Sequence, residues 1–321
     1  MNIRRIIFAF CLTVAAISCK KDEETTIAPS LNGYIVIQNL PEFVSPGQKC
    51  TLTVKGLSHP KGKDITYYWK VLPSAPVACT TDVFTFEFTD TLQTCSIYCY
   101  ASAEGYSSTS SSKEATVVKS GPEGSLHIDG LPSGNSLPGG KYFYSQIGAQ
   151  TWTANNNAEG TGKGFRNASI MSDIFGQFYN YDEAIAACEA LGTEWKLPTL
   201  DDWKTMEDHI SATIDSDPSY GKSVVAALSS NATFNGVDMW EYWPTVGEPS
   251  NSTGFSAIPF GYANLKSNQF TGIYEYAAFW TSTEAENGYA YYKYFFIEDA
   301  QVYTGQADKE SFGASVRCIR K

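Results

Sequence analysis

Short runs in which apolar and polar residues alternate fill the chain from Tyr34 to Val118 and constrain its fold more than any other feature. Alternation with a period of two places successive side chains on opposite faces of a β-strand, and no helical period of 3.6 competes with it here. Turn-forming residues separate the runs at short intervals. The pattern therefore predicts a β-sandwich of short strands, at residues 34–37, 50–54, 65–71, 83–88, 95–99 and 115–118.

The predicted sandwich spans residues 32–119, and its third strong strand carries Trp69. Short strands at this spacing with an interior tryptophan resemble an immunoglobulin-like domain of the kind repeated in bacterial surface proteins. Domains of that kind most often serve as spacers, and direct ligand binding is the alternative. We therefore expect a stalk that holds another domain away from its point of attachment.

The first residues have the pattern of an export signal. Two arginines precede an apolar run at 6–17, which is shorter than the roughly 20 residues needed to cross a bilayer. This arrangement is typical of a signal peptide, which we assign to residues 1–18. The sequence Ala16-Ile17-Ser18-Cys19 resembles a bacterial lipobox, and the resemblance implies cleavage before Cys19 and acylation of its thiol.

Charged residues follow this cysteine. Residues 20–24 (KKDEE) resemble the short acidic export signal of Bacteroidota surface lipoproteins, and we assign residues 19–31 to an acidic tether. Several acyl chains hold a protein on a membrane because each buried methylene group contributes about 0.8 kcal/mol. The sequence thus predicts a lipoprotein that is anchored in outer-membrane lipid through Cys19 and faces the cell exterior.

Four cysteines lie in the predicted sandwich, and an exported protein meets an oxidising compartment in which disulfides form. Four cysteines allow three pairings. In an immunoglobulin-like order the second and sixth strands run parallel in opposite sheets, which favours one bond at each end of the domain. We predict Cys50–Cys95 and Cys79–Cys99, with the other pairings left open.

A short motif in the same domain suggests a modification. Asp90-Thr91-Leu92 matches the Asp-Ser/Thr-aliphatic pattern at which Bacteroidota attach O-linked glycans to exported proteins. Three residues recur often by chance, so an unmodified turn is the alternative. Thr91 is therefore a candidate O-glycosylation site.

A linker rich in glycine at 120–125 precedes a second domain at 126–321, in which helical patterns occur. The clearest helix begins near Tyr181, with Asp182 as its expected N-cap, and another opens at Thr199. Strands and long loops make up the remainder. The pattern predicts an α+β domain.

Five blocks in the second domain resemble, in their order and residues, the Fibrobacter succinogenes major paralogous domain. They are 147–152 (IGAQTW), 195–199 (WKLPT), 253–259 (TGFSAIP), 279–284 (FWTSTE) and 315–319 (SVRCI). That family is similar to the C-type lectin-like fold, in which two helices flank a small twisted sheet that displays long loops. The resemblance implies a disulfide between Cys188 on the first helix and Cys318 on the last strand.

Large aromatic side chains in and near these blocks more often form a core than a ligand platform. We assign to the core Trp152, Trp195, Trp203, Phe255 and Trp280. The run at 289–296 (YAYYKYFF) is also rich in aromatic residues, and we interpret it as a strand buried on both faces.

Catalysis and metal binding have little support. The three histidines, at positions 59, 127 and 209, lie in no hydrolase or metalloenzyme motif. Residues 248–251 (EPSN) match a lectin calcium motif only in part, and 215–217 (DSD) begins a loop that lacks the glycine of a calcium site. We therefore expect a non-enzymatic protein without cofactors, with calcium as the alternative. The net charge of −11 argues against nucleic acid as a partner.

Aromatic residues beside carboxylates in the long-loop region are the candidate ligand-binding residues. They are Trp240, Glu241, Tyr242, Trp243, Tyr274 and Tyr276. Flat rings stack on the apolar face of a sugar, while acids accept hydrogen bonds from its hydroxyls. The alternative is that these rings close the loops over the core. We expect capture of a glycan or host-surface ligand, and the second hypothesis is an accessory subunit of a surface protein assembly.

Overall fold

The computed structural model describes residues 27–73, 79–91, 93–132, 134–217, 219, 221–241, 244–296 and 298–321. The predicted signal peptide, Cys19 and most of the tether lie outside these residues, as do Tyr242 and Trp243. The described chain is mostly β-structure arranged in several sheets. No helix within these ranges has the length and apolar character needed to cross a membrane.

Two sheets pack face to face in the first domain. One has the order β1-β3-β5 and the other the order β2-β7-β6-β4, in which only β2 and β7 are parallel. The prediction of a β-sandwich is confirmed. The strands are β1 (Asn32–Gln38), β2 (Phe43–Val44), β3 (Lys49–Ser58), β4 (Thr66–Leu72), β5 (Val83–Glu87), β6 (Thr94–Ser102) and β7 (Thr109–Val117).

Trp69 lies at the centre of this sandwich and is fully buried. Its ring stacks on Phe84 of the opposite sheet, with centroids 5.2 Å apart. The indole Nε1 donates to the carbonyl oxygen of Thr81 at 3.0 Å. Burial of the ring is therefore combined with a satisfied polar group, which is what an interior tryptophan requires.

The four cysteines of the first domain are free thiols, so the predicted bonds Cys50–Cys95 and Cys79–Cys99 are not formed. Cys50 and Cys95 do lie in opposite sheets, as expected, but their sulfurs do not meet. The Sγ atom of Cys79 donates instead to the carbonyl oxygen of Val83 at 3.2 Å. Burial, and then the neighbouring Cys79, raises the pKa of Cys99 to about 12, which keeps that thiol protonated and unreactive.

The second domain packs directly against the end of the first. Val118 is fully buried among apolar side chains of the second domain, and the rings of Phe43 and Phe165 lie 6.2 Å apart. The Nδ2 atom of Asn235 donates to the carbonyl oxygen of Val117 at 3.2 Å. The predicted linker at 120–125 therefore directly follows residues at which the two domains pack against each other.

The second domain contains four α-helices, a 3₁₀ turn (Phe165–Asn167) and four small sheets in the described residues. The sheets have the orders β11-β20-β10-β9, β13-β12-β8, β15-β14-β19 and β16-β17-β18. The strands are β8 (Leu126–Ile128), β9 (Tyr144–Ile147), β10 (Gln150–Thr153), β11 (Trp195–Lys196), β12 (Ala232–Phe234), β13 (Val237–Asp238), β14 (Tyr262–Asn264), β15 (Gln269–Thr271), β16 (Tyr276–Glu284), β17 (Tyr289–Phe296), β18 (Tyr303–Asp308), β19 (Phe312–Gly313) and β20 (Ile319–Arg320). The helices are α1 (Ser169–Phe175), α2 (Tyr181–Glu189), α3 (Leu200–Ile214) and α4 (Val224–Leu228).

Both predictions about the core of this domain are confirmed. Cys188 on α2 is bonded to Cys318, immediately before β20. The five aromatic residues assigned to the core are each fully buried. The N-cap of α2 is Asn180 rather than the expected Asp182, because the Asn180 side chain accepts the main-chain N–H of Glu183 at 2.9 Å and Glu183 bonds back to Asn180.

Asp202 closes the first turn of α3 and makes the stability of this domain depend on pH. Its Oδ2 atom accepts from the N–H of Thr199 at 2.8 Å and from the Nζ atom of Lys196 at 2.8 Å. Burial alone would raise the pKa of Asp202, but these hydrogen bonds outweigh it and lower that pKa. The ionised carboxylate therefore stabilises the fold above its unfolded pKa of about 4, and this contribution is lost as the pH falls through the lower folded value.

We expect Asp202→Asn to lower the free energy of unfolding at pH 7 by about 1 kcal/mol, the usual cost of a lost helix cap. The variant should also lose less stability than the parent protein when the pH falls below about 4. Urea unfolding at pH 7 and pH 3 measures both effects. Asp201→Asn is the matched control, because Asp201 lies exposed in the same turn. Equal losses in the two variants would contradict the role given to Asp202.

Candidate functional site

Strand β17 has one buried face and one half-exposed face. Lys293 and Phe295 are buried, whereas Tyr292, Tyr294 and Phe296 are each partly exposed on the opposite face. The interpretation of residues 289–296 as a strand buried on both faces is therefore wrong. The strand itself is confirmed, but the rings of Tyr292, Tyr294 and Phe296 on its second face are only partly buried.

Rings from five strands join on this open side into one continuous surface, which we call the aromatic face. Neighbouring centroids lie 4.6–6.4 Å apart, within the range of favourable ring pairs. Each ring is half-buried, so the surface is both rigidly packed and accessible. The aromatic face consists of Tyr262, Tyr276, Tyr292, Tyr294, Phe296, Tyr303 and Phe312.

Three of these rings are close to parallel. The plane of Phe296 is tilted by 11° from that of Tyr303, and the plane of Tyr294 by 26° from that of Tyr303. Cross-strand pairing produces this arrangement, because Tyr294 lies directly opposite Tyr303 in the antiparallel ladder between β17 and β18. The part of the aromatic face formed by Tyr294, Phe296 and Tyr303 is therefore a platform of aligned rings.

Gly305 allows a fourth ring to lie against the sheet. It is the cross-strand partner of Tyr292, and a Cβ atom at position 305 would approach the Tyr292 ring to 2.5 Å. That distance is shorter than real Cβ contacts allow. A larger residue here would displace the Tyr292 ring, because that ring passes directly over the main chain of β18.

The polar groups of the aromatic face are phenols and a rim of carboxylates. Tyr303 donates its hydroxyl to Asp299, and this bond together with burial raises the pKa of Tyr303. Burial and then the adjacent tyrosines raise the pKa of Tyr292. Both phenols therefore stay neutral at physiological pH, and Tyr292 can donate a hydrogen bond to a ligand, whereas the Tyr303 proton is already donated to Asp299. Glu298 is exposed beside Asp299, so acceptors lie next to the rings.

The aromatic residues predicted to bind ligand are distributed over three environments. Trp240 is buried, donates its Nε1–H to the carbonyl oxygen of Ala257 at 3.1 Å and stacks on Phe295. It therefore packs behind the sheet, on the face opposite the aromatic face. Tyr274 packs against an apolar core cluster of the domain. Of the predicted set, the structure places Tyr276 in the aromatic face.

The remaining candidate residues lie apart from the aromatic face. Glu241 is exposed, and Tyr242 and Trp243 lie outside the described residues. Thr91, the candidate O-glycosylation site, is exposed in the first domain with its Oγ1 atom 2.9 Å from that of Thr89. An exposed hydroxyl is sterically available for modification.

Titratable groups do not cluster around this surface in the manner of a metal centre. Across the ranges that the structure describes, no three side chains of His, Cys, Asp or Glu come together. His127 pairs with Asp129 at 2.7 Å on the surface near the domain junction. His59 is buried in the first domain against Tyr106, with ring centroids 4.6 Å apart. The aromatic face instead combines packed rings with phenol and carboxylate groups that can form hydrogen bonds.

The second domain as a whole matches a known family. The family model described as the Fibrobacter succinogenes major domain matches residues 126–320, which is more than half of the chain. The chain belongs to this family. The matched residues of the Fibrobacter succinogenes major domain run from β8 to β20 and include every ring of the aromatic face. No curated protein matches the chain.

Proposed function

We propose that this protein is a lipid-anchored, non-enzymatic binding protein of the outer cell surface, in which an immunoglobulin-like stalk carries a C-type lectin-like domain that captures glycans. The aromatic face is the observation that carries this proposal. Aligned, half-buried rings offer the apolar C–H face of a sugar a large contact area, and the rings lose little conformational entropy because they already pack against one another.

The polar groups of the aromatic face suit the hydroxyls of a sugar. The phenol groups of Tyr262, Tyr276, Tyr292 and Tyr294 make no hydrogen bond within the described chain, so they are available to a ligand. Carboxylates at the rim, such as Asp299 and Glu298, accept hydrogen bonds from sugar hydroxyls. A small number of polar groups around an apolar surface fixes the orientation of a bound ligand.

The path of the chain through the first domain supports its proposed role as a stalk. The chain enters near Ser107, whose N–H donates to the carbonyl oxygen of Pro29 at 2.9 Å. Strand β7 then runs from this end to Val117, where the second domain packs. Nine extended residues span about 30 Å. A membrane anchor at the N-terminus would thus be separated from the second domain by the length of the sandwich.

We expect the full-length protein, purified in detergent, to bind sugars on a glycan array through the aromatic face. Replacing Tyr294 and Tyr303 together by alanine should weaken binding about tenfold or more, since each ring contact contributes about 0.5–1.5 kcal/mol beyond burial of area. Gly305→Ala should weaken binding as well, because it displaces the ring of Tyr292. Repeating the array with a calcium chelator tests the calcium alternative.

The matched control replaces Tyr68 and Tyr100 by alanine, an exposed tyrosine pair on neighbouring strands of the first domain. This variant should bind as the parent protein does. Equal binding by the parent protein and the Tyr294/Tyr303 variant would place the ligand site elsewhere. A folded protein that binds no glycan would overturn the proposal.

A further inference from the structure

Strand β8 leaves one edge of its sheet open. It pairs with β12 on one side only, where Asn235 donates to the carbonyl oxygen of Ser125 at 2.7 Å and Asp129 donates to that of Asn231 at 3.3 Å. In an antiparallel ladder, hydrogen-bonded pairs alternate with pairs whose N–H and C=O groups turn outward. Leu126 and Ile128 are therefore the residues that present their main-chain groups to the open side, and these groups have no partner in the described chain.

A cavity of about 600 Å³ lies beside this open edge. Leu126 and Ile128 line it on one side, and apolar side chains of Leu131, Phe143 and Ile174 form its walls. Unpaired main-chain donors and acceptors next to apolar surface are the features that bind an added β-strand, because the strand supplies both hydrogen bonds and alternating side chains. A compact ligand would leave these main-chain groups without regular partners.

We infer that an extended segment of a partner polypeptide adds to β8 and places alternate apolar side chains in this groove. Charge also favours a particular partner. Asp173 lies exposed on the groove wall and makes no ion pair in the described chain, whereas the nearby Lys141 is paired with Glu159 at 2.7 Å. The partner strand should therefore carry a lysine or arginine beside its apolar residues.

The tether of this chain is a poor occupant of the groove. Residues 20–24 are all charged and lack alternating apolar positions. The described chain also begins at the end of β7 that is opposite to the domain junction, where the groove lies. A separate polypeptide fits better, and this interaction would be independent of glycan binding at the aromatic face.

Selection of random phage-displayed peptides on the full-length protein tests this inference. Enriched peptides should contain alternating apolar residues flanked by a basic residue. Their binding should slow amide hydrogen exchange at Leu126 and Ile128, which we expect to exchange rapidly in the free protein. Amides at these two positions that are already protected in the free protein would overturn the inference, because a segment of the chain itself would then occupy the edge.

Two variants test whether the peptides bind in the groove beside β8 or on another surface. Ile128→Pro removes an outward N–H that takes no part in the ladder with β12, so the sheet should be retained while peptide affinity falls about tenfold. Asp173→Lys changes only an exposed charge and should weaken the basic peptides several-fold. The Tyr294/Tyr303 variant should bind the peptides normally. Peptides that bind both groove variants as tightly as the parent protein, or the absence of any enriched peptide, would contradict strand addition.

Discussion

Replacing Cys188 and Cys318 together by serine is expected to lower the free energy of unfolding of the second domain by about 4–5 kcal/mol. The bond joins α2 to the residue before β20 across a sequence separation of 130. Closing so long a loop removes much of the conformational entropy of the unfolded chain, and the chain-entropy relation gives a value near the top of the usual range. A loss of this size is a large fraction of the stability of a typical domain.

Urea unfolding followed by tryptophan fluorescence measures this effect, because most of the tryptophans lie in the second domain. Cys79→Ser is the matched control, since Cys79 is a free, partly exposed thiol of the first domain and should change stability by less than about 1 kcal/mol. Parent protein treated with a reductant should behave as the double variant does. A midpoint for the double variant within experimental error of the parent value would contradict the prediction.

The core could be predicted because residue identity indicates which side chains are buried, and the cross-link because the resemblance to the family implies it. Helix α3 begins directly after Thr199, as the sequence indicates, and Trp152, Trp195 and Trp280 are buried. The family blocks contain Thr199, these three tryptophans and Cys318, whereas Cys188 lies outside them, before the block that begins at Trp195. The start of the helix and the burial of the tryptophans needed only the identity of local residues, whereas the disulfide was implied by the resemblance to the family.

The aromatic face could not be predicted in the same way. Aromatic residues occupy both alternating positions of β17, so periodicity does not distinguish its covered face from its open one. The distinction depends on Trp240 and Phe279, which pack behind the strand against Phe295. One signal was present in the sequence, namely Gly305, but its meaning depends on the register that places it opposite Tyr292.

The free cysteines of the first domain illustrate the same limit. The immunoglobulin-like strand order correctly places Cys50 and Cys95 in opposite sheets. Whether two sulfur atoms can bond depends on Cα separations and Cβ directions, which vary by more than a pattern of alternating residues can resolve. The sheets that hold these two cysteines could therefore be predicted from the sequence, whereas the bonding of their sulfur atoms could not.

We expect a second large loss of stability when Arg317 is replaced. This side chain is buried and has no carboxylate partner in the described chain. Its Nε atom donates to Oδ1 of Asn156 at 3.0 Å, and its guanidinium also donates to the carbonyl oxygens of Thr153, Phe255 and Ser256. The guanidinium lies over the ring of Phe255 at 4.7 Å. Burial lowers the pKa of Arg317 to about 9, so the side chain still carries its charge at neutral pH.

Arg317 thus joins the loop after β10 to the turn at Ser256, where φ is 56°. A buried ion pair can often be replaced by apolar residues, because both partners are removed together. No such paired replacement exists here, because three of the acceptors are main-chain carbonyl groups, which a side-chain substitution cannot remove. Arg317→Leu would leave these buried acceptors unpaired, at about 1–3 kcal/mol each. We therefore expect the variant to lose more than about 4 kcal/mol and to unfold in much less urea than the parent protein.

A graded series keeps this prediction measurable if Arg317→Leu does not fold. Arg317→Lys retains a positive charge but cannot supply the planar set of donors, so it should be nearly as destabilising as leucine. Asn156→Ala removes one acceptor of the guanidinium and two further hydrogen bonds, to Phe175 and Ser315, and should cost about 1–3 kcal/mol. Soluble yield and urea midpoints order the three variants. If lysine restored the parent midpoint, charge alone would account for the site, and the directed hydrogen bonds would not be what holds these loops together.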